Sequence, residues 1–179
     1  MPSPPYGMPG ELPGRKERMM LEMKVRGLTL DPLSNMALVI LRDLEGNRAL
    51  PIWVGIPEAN AIALEIEQVP TPRPMTHDLI KNILEGINAS VTRVVVNDLR
   101  DSTFYATISL SLQGKEFHID ARPSDAIAVA LRVKAPIYVT LDVIERAGNM
   151  DAGMQNVTEE PDRLKEWLEN LKPEDFGKL

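Results

Sequence analysis

Cysteine is absent from the chain, which excludes disulfides, cysteine-ligated zinc and a cysteine nucleophile. Its absence fits a reducing compartment. Aromatic residues make up only 4%, so Val, Ile, Leu, Ala and Met must fill the core. No apolar run approaches the ~18 residues that a membrane span needs. The first residues, "MPSPPYGMPGELPGRKERMM", lack the apolar stretch of a secretory signal. A cytoplasmic protein without membrane attachment is expected. An excess of positive charge is missing too: the net charge is -6, so contact with nucleic acid needs a local basic patch or bound cations. The acidic net charge and the two histidines weigh against an enzyme.

What remains is enough for one globular domain with tails, since the 179 residues are 44% apolar. Pro2, Pro4, Pro5, Pro9 and Pro13 mark residues 1–20 as a disordered arm, because proline lacks a backbone donor and resists both helix and sheet. Residues 23–55 read as three strands, punctuated at Asp31-Pro32 and Glu45-Gly46-Asn47. Helices are expected from about Pro57 to Gln68, and from Thr76, its N-cap, to Gly86. "SVTRVVVNDL", "STFYATISL" and "KEFHIDA" give three more strands. Ser124 is expected to cap a helix to about Val133, and "APIYVT" reads as a last strand. The domain is expected over residues 21–148. Residues 149–179 are expected as a polar tail with a short amphipathic helix that would carry Leu164, Trp167, Leu168 and Leu171 on one face.

The chain also contains one unit twice. A shift of 67 residues puts Ile52 on Ile119, Ala59 on Ala126, Ala61 on Ala128 and Leu64 on Leu131; a shift of 68 puts Gly46 on Gly114. Both halves read strand, strand, strand, small-residue helix. The expected fold is therefore α+β: a mixed β-sheet core with packed helices, built from two similar units.

The units differ at one row. Alternation places His118, Asp120 and Arg122 on one strand face where the first unit has Pro51, Trp53 and Gly55. Similar folds make similar demands, so the charged row is a candidate for function; a solvated strand face with an Asp–Arg pair is the competing reading. Asp125 follows in the first turn of a helix, where a carboxylate meets the helix dipole. "RPMTHDL" repeats that pattern with Arg73, Thr76 and Asp78, and adds His77. An arginine beside helix N–H groups suits a phosphate, and a histidine there suits proton transfer; capping is the competing account of both. Asp98 and Asp101 in "NDLRDSTFYA" read as a turn or as further oxygen ligands for a hard cation. Trp53, in a chain this poor in aromatics, is expected in the core or in a subunit interface.

The combined motifs RP-x-THDL, D-x-TFYA and D-x-RPSDAI resemble the bifunctional nuclease domain family, over about Met23 to Asp142. The resemblance implies a compact, often self-associating α+β domain that cuts DNA and RNA. Its motif positions here are Arg73, Thr76, His77, Asp78, Asp101, Asp120, Arg122, Ser124 and Asp125.

Two functions follow from these residues. One is a metal-assisted phosphodiesterase: Asp120, Asp125 and Asp78 would hold Mg²⁺ or Mn²⁺, and His77 would move a proton. Arg73, Thr76, Arg122 and Ser124 would hold the phosphate. The other is a non-catalytic module that recognises a phosphorylated ligand or a protein partner. Nucleic acid is the expected substrate, and a homodimer or higher homo-oligomer the expected assembly.

Overall fold

The computed structural model describes residues 19–31, 34 and 36–150. The arm and the segment from residue 151 onward, with its expected amphipathic helix, lie outside the described residues.

The chain runs β1 (Met20–Asp31), β2 (Met36–Asp43), β3 (Ala49–Gly55), α1 (Ile56–Ile66), α2 (Thr76–Gly86), β4 (Ala89–Arg100), β5 (Thr103–Leu112), β6 (Lys115–Ala121), α3 (Pro123–Val133), β7 (Ile137–Thr140) and α4 (Leu141–Met150). The strands form one seven-stranded sheet in the order β3-β2-β1-β7-β4-β5-β6. β7 pairs antiparallel with β1 and parallel with β4, so the sheet is mixed. The fold is α+β, and two antiparallel meanders, one from each repeated unit, flank β7.

The repeat extends to detail. A register shift interrupts β1 between Val25 and Gly27 and β4 between Val91 and Arg93. Gly46 and Gly114 sit at φ of 78° and 77°, the left-handed region that glycine occupies without strain. Asp101-Ser102 and Gln113-Gly114 are two-residue hairpin loops with positive φ at both positions, the twist that matches the strands.

One core lies between the sheet and the helices. Val39, Leu41, Leu50, Ile52, Val94, Val96 and Val139 meet Ala59, Ile62 and Ala63 of α1 and Ala126, Ile127 and Ala130 of α3. The alanines keep the helix axes close to the strands. Two helix starts differ from expectation. Met75, not Thr76, is the N-cap of α2, and Arg122, not Ser124, is that of α3. Pro123 takes the first helical position, where its missing N–H is harmless, so Ser124 moves inside the helix and is buried. The helix α4 was not expected. Val143 and Ala147 bury its inner face, and it runs to Met150, past the expected boundary at 148. Trp53 is not in the core: it is 41% exposed on the edge strand β3.

Candidate active site

The first turns of α1 and α3 occupy equivalent places in the two units. Their N-caps, Gly55 and Arg122, have nearly the same backbone: φ -69°, ψ 157° and φ -69°, ψ 143°. Each helix then carries a proline and an acid in its first turn, Glu58 in α1 and Asp125 in α3. The guanidinium of Arg122 joins the two acids. Its Nε donates to Asp125 Oδ2 at 2.7 Å, and its Nη2 donates to Asp125 Oδ1 at 3.1 Å and Glu58 Oε1 at 2.8 Å. A Cβ on Gly55 would stand 2.5 Å from Glu58 Oε2, so the glycine leaves the space that Glu58 occupies.

His77 completes the cluster from α2. Its Nε2 lies 3.0 Å from Asp125 Oδ1, while the ring is buried between the helices. A second tie fixes α2. Asp78 accepts from the backbone N–H of Met75 at 2.8 Å and from Arg132 Nε at 2.6 Å. Arg132 is itself buried in α3, and its Nη1 donates to the carbonyls of Ala61 and Ala128, both at 3.0 Å. Arg73 does not take part: it lies exposed before α2, as does Thr76 at the helix start. Both motif aspartates therefore end on arginines. Burial raises the carboxyl of Asp125, and the bonds from Arg122 and His77 outweigh it, so the group stays below the usual carboxylate range. Burial opposes ionisation of Asp78 as well, and the Met75 N–H and Arg132 outweigh it. The guanidinium of Arg122 is held above its usual value by Asp125, then Glu58.

The register separates Asp120 from this cluster. Asp120 pairs with Thr107, and Ala121, next to it, packs on the helix-covered core. Asp120 thus faces the opposite side of the sheet, together with His118, which lies 3.2 Å from Ser109 Oγ. Alternation suggested that Asp120 and Arg122 point the same way. The strand ends at Ala121, however, and Arg122 turns into the helix cap. Asp98 and Asp101 are elsewhere again. Asp101 opens the β4–β5 loop. Asp98 bonds Arg146 Nη2 at 2.8 Å and Arg100 Nε at 2.7 Å, and chiefly the Arg146 bond lowers its carboxyl to about 2.

Among the described residues no three His, Asp or Glu side chains gather as a metal-holding group. Both oxygens of Asp78 and of Asp125 are taken by arginine, histidine or backbone N–H groups. As they stand, these carboxylates do not fit a divalent cation.

Glu58 and Arg132 escaped the sequence reading. The shift of 67 residues places Glu58 on Asp125, so the duplication could have found it. Arg132 was visible only as one charge inside "AVALRVKAP".

Comparison with known proteins agrees with the motifs. The model of the bifunctional nuclease domain matches residues 39–151, more than half of the chain. An uncharacterised protein of Mycobacterium tuberculosis is 39% identical over 164 residues, which are 88% of this chain and 98% of that protein. Bifunctional nuclease 1 of Oryza sativa subsp. japonica is 27% identical over 112 residues, 61% of this chain and 34% of the rice protein. Bifunctional nuclease 2 of the same plant is 30% identical over 105 residues, 56% of this chain and 32% of its own length.

Proposed function

The chain belongs to the bifunctional nuclease domain family, and we propose that it hydrolyses phosphodiester bonds of DNA and RNA at the cluster of His77, Asp125, Arg122 and Glu58. One observation carries the reading: an imidazole, a carboxylate and a guanidinium are bonded in series, and the last of them is 66% exposed. A guanidinium has five N–H donors. The bonds to Asp125 and Glu58 use Nε and Nη2, which leaves Nη1 for a phosphate oxygen. Arg122 then offsets the charge that develops on the phosphoryl oxygens. Asp125 orients the ring of His77 and stabilises it when protonated, as a carboxylate does for a catalytic imidazole. With Nε2 facing Asp125, Nδ1 is the atom that exchanges a proton with the attacking water or the leaving oxygen. Arg73 and Thr76, exposed at the start of α2, extend the phosphate contacts along the strand of nucleic acid. The names of the rice relatives support the reaction class, although this chain spans only about a third of their length.

No step is routed through Mg²⁺ or Mn²⁺, because Asp78 and Asp125 are already engaged. A homodimer or higher homo-oligomer, supported by the exposed Trp53, completes the proposal. So does a cytoplasmic location. Among the described residues no helix is long and apolar enough to cross a membrane.

A second reading, the non-catalytic module, is favoured by the burial of His77, which suits a structural staple between α2 and α3. Digestion of plasmid and of RNA by nuclease-free protein, with and without EDTA, separates the readings. Cleavage that survives EDTA supports the proton-transfer cluster. Cleavage abolished by EDTA overturns the metal-free cluster and returns the chemistry to a divalent cation. Binding without cleavage favours the module.

A further inference from the structure

Two adjacent residues of α2 are tied to α3 at two separate points. His77 Nε2 lies 3.0 Å from Asp125 Oδ1, and Asp78 Oδ1 accepts from Arg132 Nε at 2.6 Å. Asp125 and Arg132 stand at i and i+7 of α3, so the two anchors are ~10 Å apart along that helix. One tie alone lets a helix pivot about it. Two ties spaced by two turns also fix its rotation about its own axis. That rotation decides where Nδ1 of His77 points, since α2 carries the ring and Asp125 holds its other nitrogen.

Arg132 is the buried end of the second tie, with a side chain only 4% exposed. Its guanidinium meets all three helices that carry the cluster. Nε donates to Asp78 of α2, and Nη1 donates to the carbonyls of Ala61 in α1 and Ala128 in α3. Ala61 lies one turn beyond Glu58, and Asp78 lies beside His77. Stability alone does not call for such a pair, because apolar residues of similar volume in both places often serve a core as well. A guanidinium adds direction: its rigid planar fork sets the angles of its bonds, which an ammonium does not. Arg132 is too buried to touch a substrate, so its effect on the reaction passes through Asp78 and the pose of α2.

We propose, resting on the nuclease reading of the cluster, that Arg132 is a positioning residue: through Asp78 it sets the rotation of α2 and thereby aims the ring of His77. Arg132→Met, Arg132→Lys and Asp78→Asn test this in the full chain. Val143→Ala is the control, since it removes buried methyl groups under α4, which packs on β3, β4 and β7. The chain has two histidines, so His118→Gln in every protein leaves His77 as the sole imidazole. Proton NMR then reads the Nε2–H of His77 without any need of activity, and steady-state cleavage of one RNA reads kcat and KM. The expected result is a ring proton protected from exchange in the His118→Gln background and in Val143→Ala. It exchanges freely in Arg132→Met and Asp78→Asn, where kcat falls about 10-fold or more while KM stays within about twofold. Arg132→Lys recovers part of both, because it keeps the charge and loses the fork. A protected ring proton with unchanged kcat in folded Arg132→Met or Asp78→Asn overturns the proposal. So does an equal loss in Val143→Ala at a matched fall in melting temperature, which reduces Arg132 to a stabilising residue. Absence of cleavage in the unsubstituted protein sinks the nuclease reading instead, and the ring proton alone then decides the positioning.

Discussion

Replacing Arg132 with methionine should cost far more than its position at the end of a helix suggests. The guanidinium is only 4% exposed and bonds Asp78 and two helix carbonyls. Methionine fills much the same volume, so the loss is mainly electrostatic. Removing one partner of a fully buried pair costs about 3–5 kcal/mol. Asp78 is 28% exposed, so water takes over part of its solvation. The carbonyls of Ala61 and Ala128 lie inside helices and keep their backbone bonds. About 2–3 kcal/mol remains, which at about 3 °C per kcal/mol lowers the melting temperature by about 6–9 °C. Asp78→Asn alone should cost less, because it keeps an acceptor for the Met75 N–H. Adding it to Arg132→Met should cost almost nothing more, giving a coupling of about 1–2 kcal/mol in a double-mutant cycle. Thermal unfolding followed by circular dichroism reads all four proteins. A melting temperature within about 2 °C of wild type for Arg132→Met would show that the buried guanidinium contributes little to the fold.

Three further outcomes are expected. Glu58→Gln removes a negative charge beside Arg122 and keeps an acceptor for Nη2, so KM for nucleic acid should fall about 2–5-fold at low salt; a rise in KM would show that the carboxylate is needed to hold the arginine. The Asp98 carboxyl is held at about 2, below its unfolded value near 3.9, so its contribution is fully present above that value and is lost as pH falls toward 2. The melting temperature should thus decline on acidification below about pH 4, and Arg146→Ala should flatten that decline; an acid limb unchanged by the substitution contradicts the assignment. Light scattering should show a homodimer or larger assembly, weakened by Trp53→Glu, and a monomer at tens of micromolar counts against a Trp53 interface.

The strands were legible because their turns carry Gly46 and Gly114, which take positive φ without strain, and Asp101, which tolerates it. The repeat was legible because small residues recur in α1 and α3, where the helices lie close to the sheet. α4 was missed because its apolar signal, Leu141, Val143, Ile144 and Ala147, covers barely two turns and is followed at once by Gly148. In the site, Arg122 and Asp125 could be paired from the sequence because three residues along a helix are neighbours in space. The bond from His77 to Asp125 joins residues 48 apart, and no local pattern encodes it. Asp120 was grouped with them by extending the strand one residue too far, and a single residue of backbone decides which face a side chain takes.

Phosphodiester chemistry is proposed where α1, α2 and α3 meet, on the helix-covered side of the sheet. Asp125→Asn and Asp120→Asn place the same chemical change on the two sides. Cleavage rates of both, on one RNA and one plasmid, are measured beside their melting temperatures. Asp125→Asn is expected to stay folded and to lose activity by about 10²-fold or more, because His77 loses the carboxylate that orients it and Arg122 loses its bidentate partner. Asp120→Asn is expected to cleave within about twofold of wild type. Full activity in folded Asp125→Asn, or its loss in Asp120→Asn alone, would place the chemistry outside the cluster of His77, Asp125 and Arg122.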